Sequence, residues 1–200
     1  MSPDTRPVIS ATRYAERLDR ALAVAAVHGL DALLVGVGPD LQYLTGYLAM
    51  PLERLTMLVL SSRGAAIVVP RLERAAAEAG VQGELEILTF EEGADPYAMV
   101  AGRLGDGLDG IASVAVSDTL WASHLLGIQA AIGRDPRFRS ATIGVASTVL
   151  RELRMVKDAD EIELLRLAAQ AADRVVAQIA AGRLVGRTEA DVSREVRDRL

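Results

Sequence analysis

"DLQYLTGYLAMPLERLTMLVLSSRGAAIVVPRLE", residues 40–73, holds the pattern that decides the fold. Its second half contains two apolar runs of strand length, "LTMLVLS" (55–61) and "AAIVVP" (65–70), joined by Ser62-Arg63-Gly64. Two such runs around a short glycine-containing turn read as a β-hairpin. Pro70 closes the second run, because proline has no N–H to extend a ladder. Ahead of the hairpin, "LQYLTGY" (41–47) is a second short element, preceded by the turn Gly38-Pro39-Asp40.

Working outward, helices and strands alternate. Tyr14, Leu18, Leu22, Ala25 and Ala26 recur at helical spacing between Thr12 and His28, and Gly29 permits a left-handed cap. "LDALLVGV" (30–37) is an apolar strand. Beyond the hairpin, "RLERAAAEAG" (71–80) is a short helix and "ELEILTF" (84–90) an alternating strand. "DPYAMVAGRL" (95–104) is helical, with Pro96 at a permitted first-turn position. "ASVAVS" (112–117) is a buried strand, "DTLWASHLLGIQAAI" (118–132) an amphipathic helix and "RFRSATIG" (137–144) an edge strand. This order predicts the α/β class: a mixed sheet of roughly five or six strands flanked by helices.

The last quarter differs. Residues 1–150 carry 12 basic and 17 acidic side chains; residues 151–200 carry 10 of each, at about double the charge density. The composition shift divides the chain into 1–150 and 151–200. "STVLRELRMV" (147–156) is a short helix, and Asp158 with Glu161 suits the cap of the next. Its stripe is Ile162, Leu165, Ala169, Ala172, Val176 and Ile179; Gly182 and Gly186 end it. Thr188 opens another helix that is interrupted at Leu200, so this segment is expected to be incomplete.

Composition excludes several classes of function. The net charge of −5 argues against non-specific nucleic-acid binding, which needs a basic face. With no cysteine, disulfides, thiolate metal sites and cysteine nucleophiles are excluded. "MSPDTRPVIS" lacks a signal-peptide core, and no apolar run approaches a membrane span of ~18 residues. A cytoplasmic protein that contacts no membrane is expected.

Candidate chemistry is sparse. His28 sits at a helix C-terminus, where an imidazole suits the dipole. His124, in "WASHLLGI", reads either as a packed or interface histidine or as a substrate contact. Trp121 beside it suits a domain or dimer interface, or the core. "VGVGPD" (35–40) is a poor phosphate loop, since no helix is expected after Pro39. "FEEG" (90–93) reads as a solvated loop, and Asp158, Asp160, Glu161 and Glu163 point around a helix rather than at one metal. No catalytic centre emerges from these residues.

"LRELRMVKDADEIELLRLAAQAADRV" (150–175), which contains Lys157, the only lysine, resembles the junction of proline-specific metallopeptidases of the creatinase, prolidase and aminopeptidase P group. There an Arg, a Lys one turn later and an acidic-Glu-Ile start join an N-terminal domain to a catalytic "pita-bread" domain. Arg154, Lys157, Glu161 and Ile162 stand in those places. Upstream, residues 40–73 are similar to the family's Tyr-Leu-Thr-Gly segment and hairpin. The resemblance covers about residues 12–200.

It implies a creatinase-like N-terminal domain followed by the first two helices of a catalytic domain. The parent reaction would be hydrolysis of Xaa-Pro bonds with two divalent metal ions (Mn, Co or Zn). The family's metal ligands, two Asp, one His and two Glu, lie beyond the matched region, so this chain is expected to bind no metal and to be inactive alone. The resemblance further implies a homodimer whose N-terminal domain walls the partner's active site and admits proline-containing dipeptides or short peptides. In creatine-hydrolysing relatives an arginine after the Tyr-x-x-Gly segment reaches the substrate carboxylate; Arg54 falls at about that place, where a guanidinium could grip a carboxylate with two hydrogen bonds, or else it is a surface arginine at a strand start. Tyr47 either lines the same entrance or is an ordinary core or rim tyrosine, while Tyr43 reads as core. Two readings stay open beside this one. One is a free-standing, non-catalytic module that dimerises or binds peptides; the other is an unrelated α/β binding domain.

Overall fold

The computed structural model describes residues 7–105, 112–138 and 141–200. The reading of Met1–Arg6, and Arg139 and Ser140 of the expected edge strand, lie outside the described residues. The described chain divides into a sheet unit, Ser10–Val156, and a helical unit, Lys157–Leu200 with the N-terminal residues up to Ile9.

The sheet unit runs α1 (Ala11–Val27), β1 (Ala32–Gly36), α2 (Pro39–Thr45), β2 (Met57–Ser61), β3 (Gly64–Pro70), α3 (Arg74–Gly80), β4 (Glu86–Phe90), α4 (Pro96–Gly105), β5 (Ser113–Val116), α5 (Ala122–Arg134), β6 (Thr142–Val145) and α6 (Ser147–Met155). The strands form one six-stranded mixed sheet in the order β4-β3-β2-β1-β5-β6. The hairpin read from residues 55–70 is there, with β2 and β3 antiparallel and Ser61 opposite Gly64. β2 also pairs antiparallel with β1, and every other neighbour in the sheet is parallel.

The central strands are apolar on both faces because helices cover both. In β1, Leu33 and Val35 join a core with Leu58, Leu60, Ile67 and Val69 under α1, α2 and α6. Ala32 and Leu34 point the other way, with Met57, Val59, Val68 and Val114, into a core closed by α4 and α5. This is the two-residue period of a strand expressed on two buried faces.

Two readings of the sequence need correction. No helix was expected after Gly38, yet α2 begins at Pro39, where proline's missing N–H costs nothing. It ends at Gly46, whose φ of 76° is the left-handed conformation that lets the chain turn back. The boundary drawn at residue 150 also shifts. Val149, Leu150 and Leu153 of α6 are buried in the first core, so the compact unit extends to Val156.

In the helical unit, α7 (Ala159–Ala181) starts with a reciprocal capping box. The Glu161 N–H donates to Asp158 (2.8 Å) and the Asp158 N–H donates to Glu161 (3.0 Å). Thr188 and Asp191 cap α8 (Glu189–Arg199) in the same way. On α7, Ile162, Leu165 and Val176 are exposed, while Val175 is buried.

Candidate functional site: the cleft around Arg54, Trp121 and His124

Arg54 lies in the irregular segment that leads into β2. With Val37, Pro51, Leu52, Thr56, Thr119, Leu120, Trp121 and His124 it lines a small cleft of about 40 Å³. The topology makes this meeting: β1 and β5 are parallel neighbours, so the loops after them emerge at one end of the sheet. The segment before β2 arrives at the same end, because β2 is antiparallel to β1.

The Arg54 guanidinium is 37% exposed, and its recorded partner is Glu73 at 3.6 Å, an ion pair without hydrogen-bond contact. Its Nε is buried with no acceptor. A guanidinium offers five N–H donors, so this one has capacity left for a carboxylate.

Tyr47 does not line this cleft. It is 4% exposed and packs in the core against α3, where a Cβ on Gly80 would meet its ring at 2.6 Å. Its N–H donates to the Thr45 hydroxyl (3.1 Å), and burial, then the nearby Glu73 carboxylate, raise its phenol above the ordinary range. The αL turn at Gly46 carries Tyr47 inward rather than to the rim. Tyr43, read as core, is partly buried and packs against the core; the Arg17 guanidinium stacks over its ring at 4.2 Å, and its hydroxyl donates to the Leu153 carbonyl (3.3 Å).

The aromatic side of the cleft was only half visible in the sequence. Trp121, at the N-cap of α5, is 47% exposed and stacks on the His124 ring with centroids 5.9 Å apart and planes 12° apart. His124 is 7% exposed, and Tyr97 of α4 places its hydroxyl 3.1 Å from Nδ1 of His124. Burial lowers the His124 pKa, and burial followed by Asp95 raises that of Tyr97, so both side chains are neutral near pH 7. Tyr97 was missed as a site residue. Its partner lies 27 positions away on another helix, and only the packing of α4 on α5 joins them.

The other candidates stay apart. His28 faces Glu152 at 3.4 Å on an exposed surface. In the loop after Phe90, Glu91 pairs with Arg71. The wide groove beside Arg63 and Arg103 is internally neutralised, since Arg103 lies 3.3 Å from Glu86 and donates to the Arg63 carbonyl. Among the described residues no group of three or more His, Asp or Glu is placed to hold a metal ion. The two metals implied by the resemblance therefore have no donor set among the described residues. No described helix is long and apolar enough to cross a membrane.

A mixed sheet flanked by helices, with a cleft at one end that brings a cation and aromatic rings together, defines an α/β domain. The Creatinase/Prolidase N-terminal domain profile matches residues 17–156, and the chain belongs to this family. It is 41% identical over 190 residues to a probable dipeptidase PepE of Mycobacterium tuberculosis, covering 94% of this chain and 48% of that protein. Among solved structures it resembles dipeptidase PepE from Mycobacterium ulcerans, with 38% identity and a TM-score of 0.79, over 96% of this chain and 50% of that one. It also resembles a dipeptidase from Pyrococcus horikoshii, with 26% identity and a TM-score of 0.76, over 92% of this chain and 49% of that one. The chain spans about half the length of the curated relatives it matches.

Proposed function

We propose that this chain is the substrate-access half of a metal-dependent dipeptidase that cleaves Xaa-Pro bonds, and that it works in a homodimer. The ligands for the two metal ions belong to the portion of the relatives that the chain does not span. Those ions would activate water for attack on the peptide bond. The role of the sheet unit is to wall the entrance and to present Arg54 to the substrate carboxylate.

The observation that carries this reading is the half-exposed, loosely paired guanidinium of Arg54 beside an exposed indole. The test is Xaa-Pro dipeptide hydrolysis, with and without Mn²⁺, by the 200-residue chain and by any longer product of the same reading frame. Activity confined to the longer product, with Arg54→Ala lowering its kcat/KM, supports the proposal. Hydrolysis by the 200-residue chain, or unchanged kinetics in the variant, defeats it.

A further inference from the structure

The cleft holds a second polar group that faces no partner. His124 is nearly buried and lines the cleft with Arg54, yet its recorded hydrogen-bond contact is through Nδ1 alone. Of the two ways to share the proton across that contact, phenol donating to imidazole is favoured, because the ring nitrogen is the stronger acceptor and the phenol the stronger donor. An accepting Nδ1 leaves the proton on Nε2. That Nε2–H has no acceptor among the described residues; the Arg54 Nε–H, behind the guanidinium, is buried and also has none.

We propose that His124 is a second carboxylate donor in this cleft, that Tyr97 is the positioning residue that fixes its tautomer, and that Trp121 is the wall against which the residue bearing the carboxylate rests. The inference rests on the reading of Arg54 and extends it. The size of the cleft agrees. About 40 Å³ accommodates a group the size of a carboxylate or a few waters. The remainder of a ligand lies outside, where the lining residues Pro51, Thr119 and the half-exposed Trp121 reach solvent. Glycine at position 127 keeps the arrangement in place, since a Cβ there would meet the Tyr97 ring at 2.5 Å. The ligand class that follows is a compound with a free carboxylate next to a compact apolar ring or side chain.

Trp121 is the only tryptophan in the chain, so its emission reports directly on the cleft. The experiment titrates the 200-residue chain with N-acetyl-L-proline and with its uncharged amide. The acid is expected to change Trp121 emission saturably, and the amide to bind at least about tenfold more weakly. His124→Phe should weaken the acid about tenfold, and His124→Gln, whose amide N–H stands where Nε2–H does, should restore most of it. Tyr97→Phe should leave binding weaker and dependent on pH between pH 5 and 7, which simple loss of packing would not produce. Thermal unfolding of each variant separates lost folding from lost binding.

No saturable change with the acid, or equal binding of acid and amide, overturns the proposal. So does a folded His124→Phe chain that binds as the parent does, or a folded His124→Gln chain no better than His124→Phe. If Arg54→Gln still abolishes binding in that case, the role of Arg54 stands and only the extension to His124 falls. The hydrolysis assay on a longer product decides the role of Arg54 independently.

Discussion

The Tyr97 hydroxyl sits 3.1 Å from Nδ1 of His124, and the ring that carries it fills the notch left by Gly127 on the same helix as His124. One bare position on α5 thus admits a tyrosine from α4, and the tyrosine orients a histidine one turn away. The contact ties helix packing to the chemistry of the cleft.

Gly127→Ala tests that tie. The new methyl would lie 2.5 Å from the phenol ring, so Tyr97 or the helices must shift. Overpacking of this kind costs about 1–3 kcal/mol. In a Tyr97→Ala background the notch is empty, and most of the cost should vanish. Urea unfolding of the four chains closes the cycle. Equal destabilisation in both backgrounds would show that the ring does not occupy the notch.

Acidification provides a second test. Burial lowers the folded pKa of His124 below its ordinary 6.5. Between the lowered value and 6.5 the unfolded chain binds the extra proton and the folded chain does not, so stability rises with pH in that window. It is fully present above 6.5, declines as pH falls towards the folded pKa, and levels off below it. Imidazolium stacked on indole quenches emission, so Trp121 fluorescence should drop with a midpoint below 6.5. Tyr97→Phe removes a donor that favours the neutral ring, and should move the midpoint upward. A midpoint at or above 6.5 in the parent chain contradicts the burial argument.

Strand and helix periodicity made most of the sheet unit legible, because each element buries a regular set of apolar side chains. The hairpin of residues 55–70 and the cap at Asp158 and Glu161 could be read from a few adjacent residues. Helix α2 could not, since seven residues after a Gly-Pro turn carry too little pattern; its start rests on Pro39 and its end on the αL geometry of Gly46. The cleft was legible only in pieces. Arg54, Trp121 and His124 could each be singled out, but their meeting depends on three loops reaching one end of the sheet. For Tyr47 the sequence left entrance and core both open; the turn at Gly46 and the bare backbone at Gly80 place it in the core.

Glu73 restrains Arg54 from the side away from solvent, since it is the more buried of the two partners. Glu73→Gln removes the competing carboxylate and should strengthen N-acetyl-L-proline binding several-fold, an effect of about 1 kcal/mol for a partly exposed pair. The same change should lower the titration of Tyr47, whose second cause of elevation is that carboxylate. Weaker binding in the variant would mean that Glu73 holds Arg54 in its binding pose.

Helix α6 decides where the sheet unit ends. Leu153 is fully buried among the residues of the first core, its carbonyl accepts from Tyr43, and Arg154 pairs with Asp40 beside it. Met155, two residues on, is exposed. Leu153→Ala should therefore cost about 2–5 kcal/mol, the range for a large buried side chain whose site relaxes only partly. Met155→Ala should stay within about 0.5 kcal/mol of the parent. The same packing predicts that a chain ending at Val156 unfolds cooperatively. One ending at Leu150 loses Leu153 and the Tyr43 acceptor, and should unfold at lower denaturant or without a sharp transition. Equal unfolding midpoints for the two shortened chains would place the boundary at residue 150, where the change in charge density had suggested it.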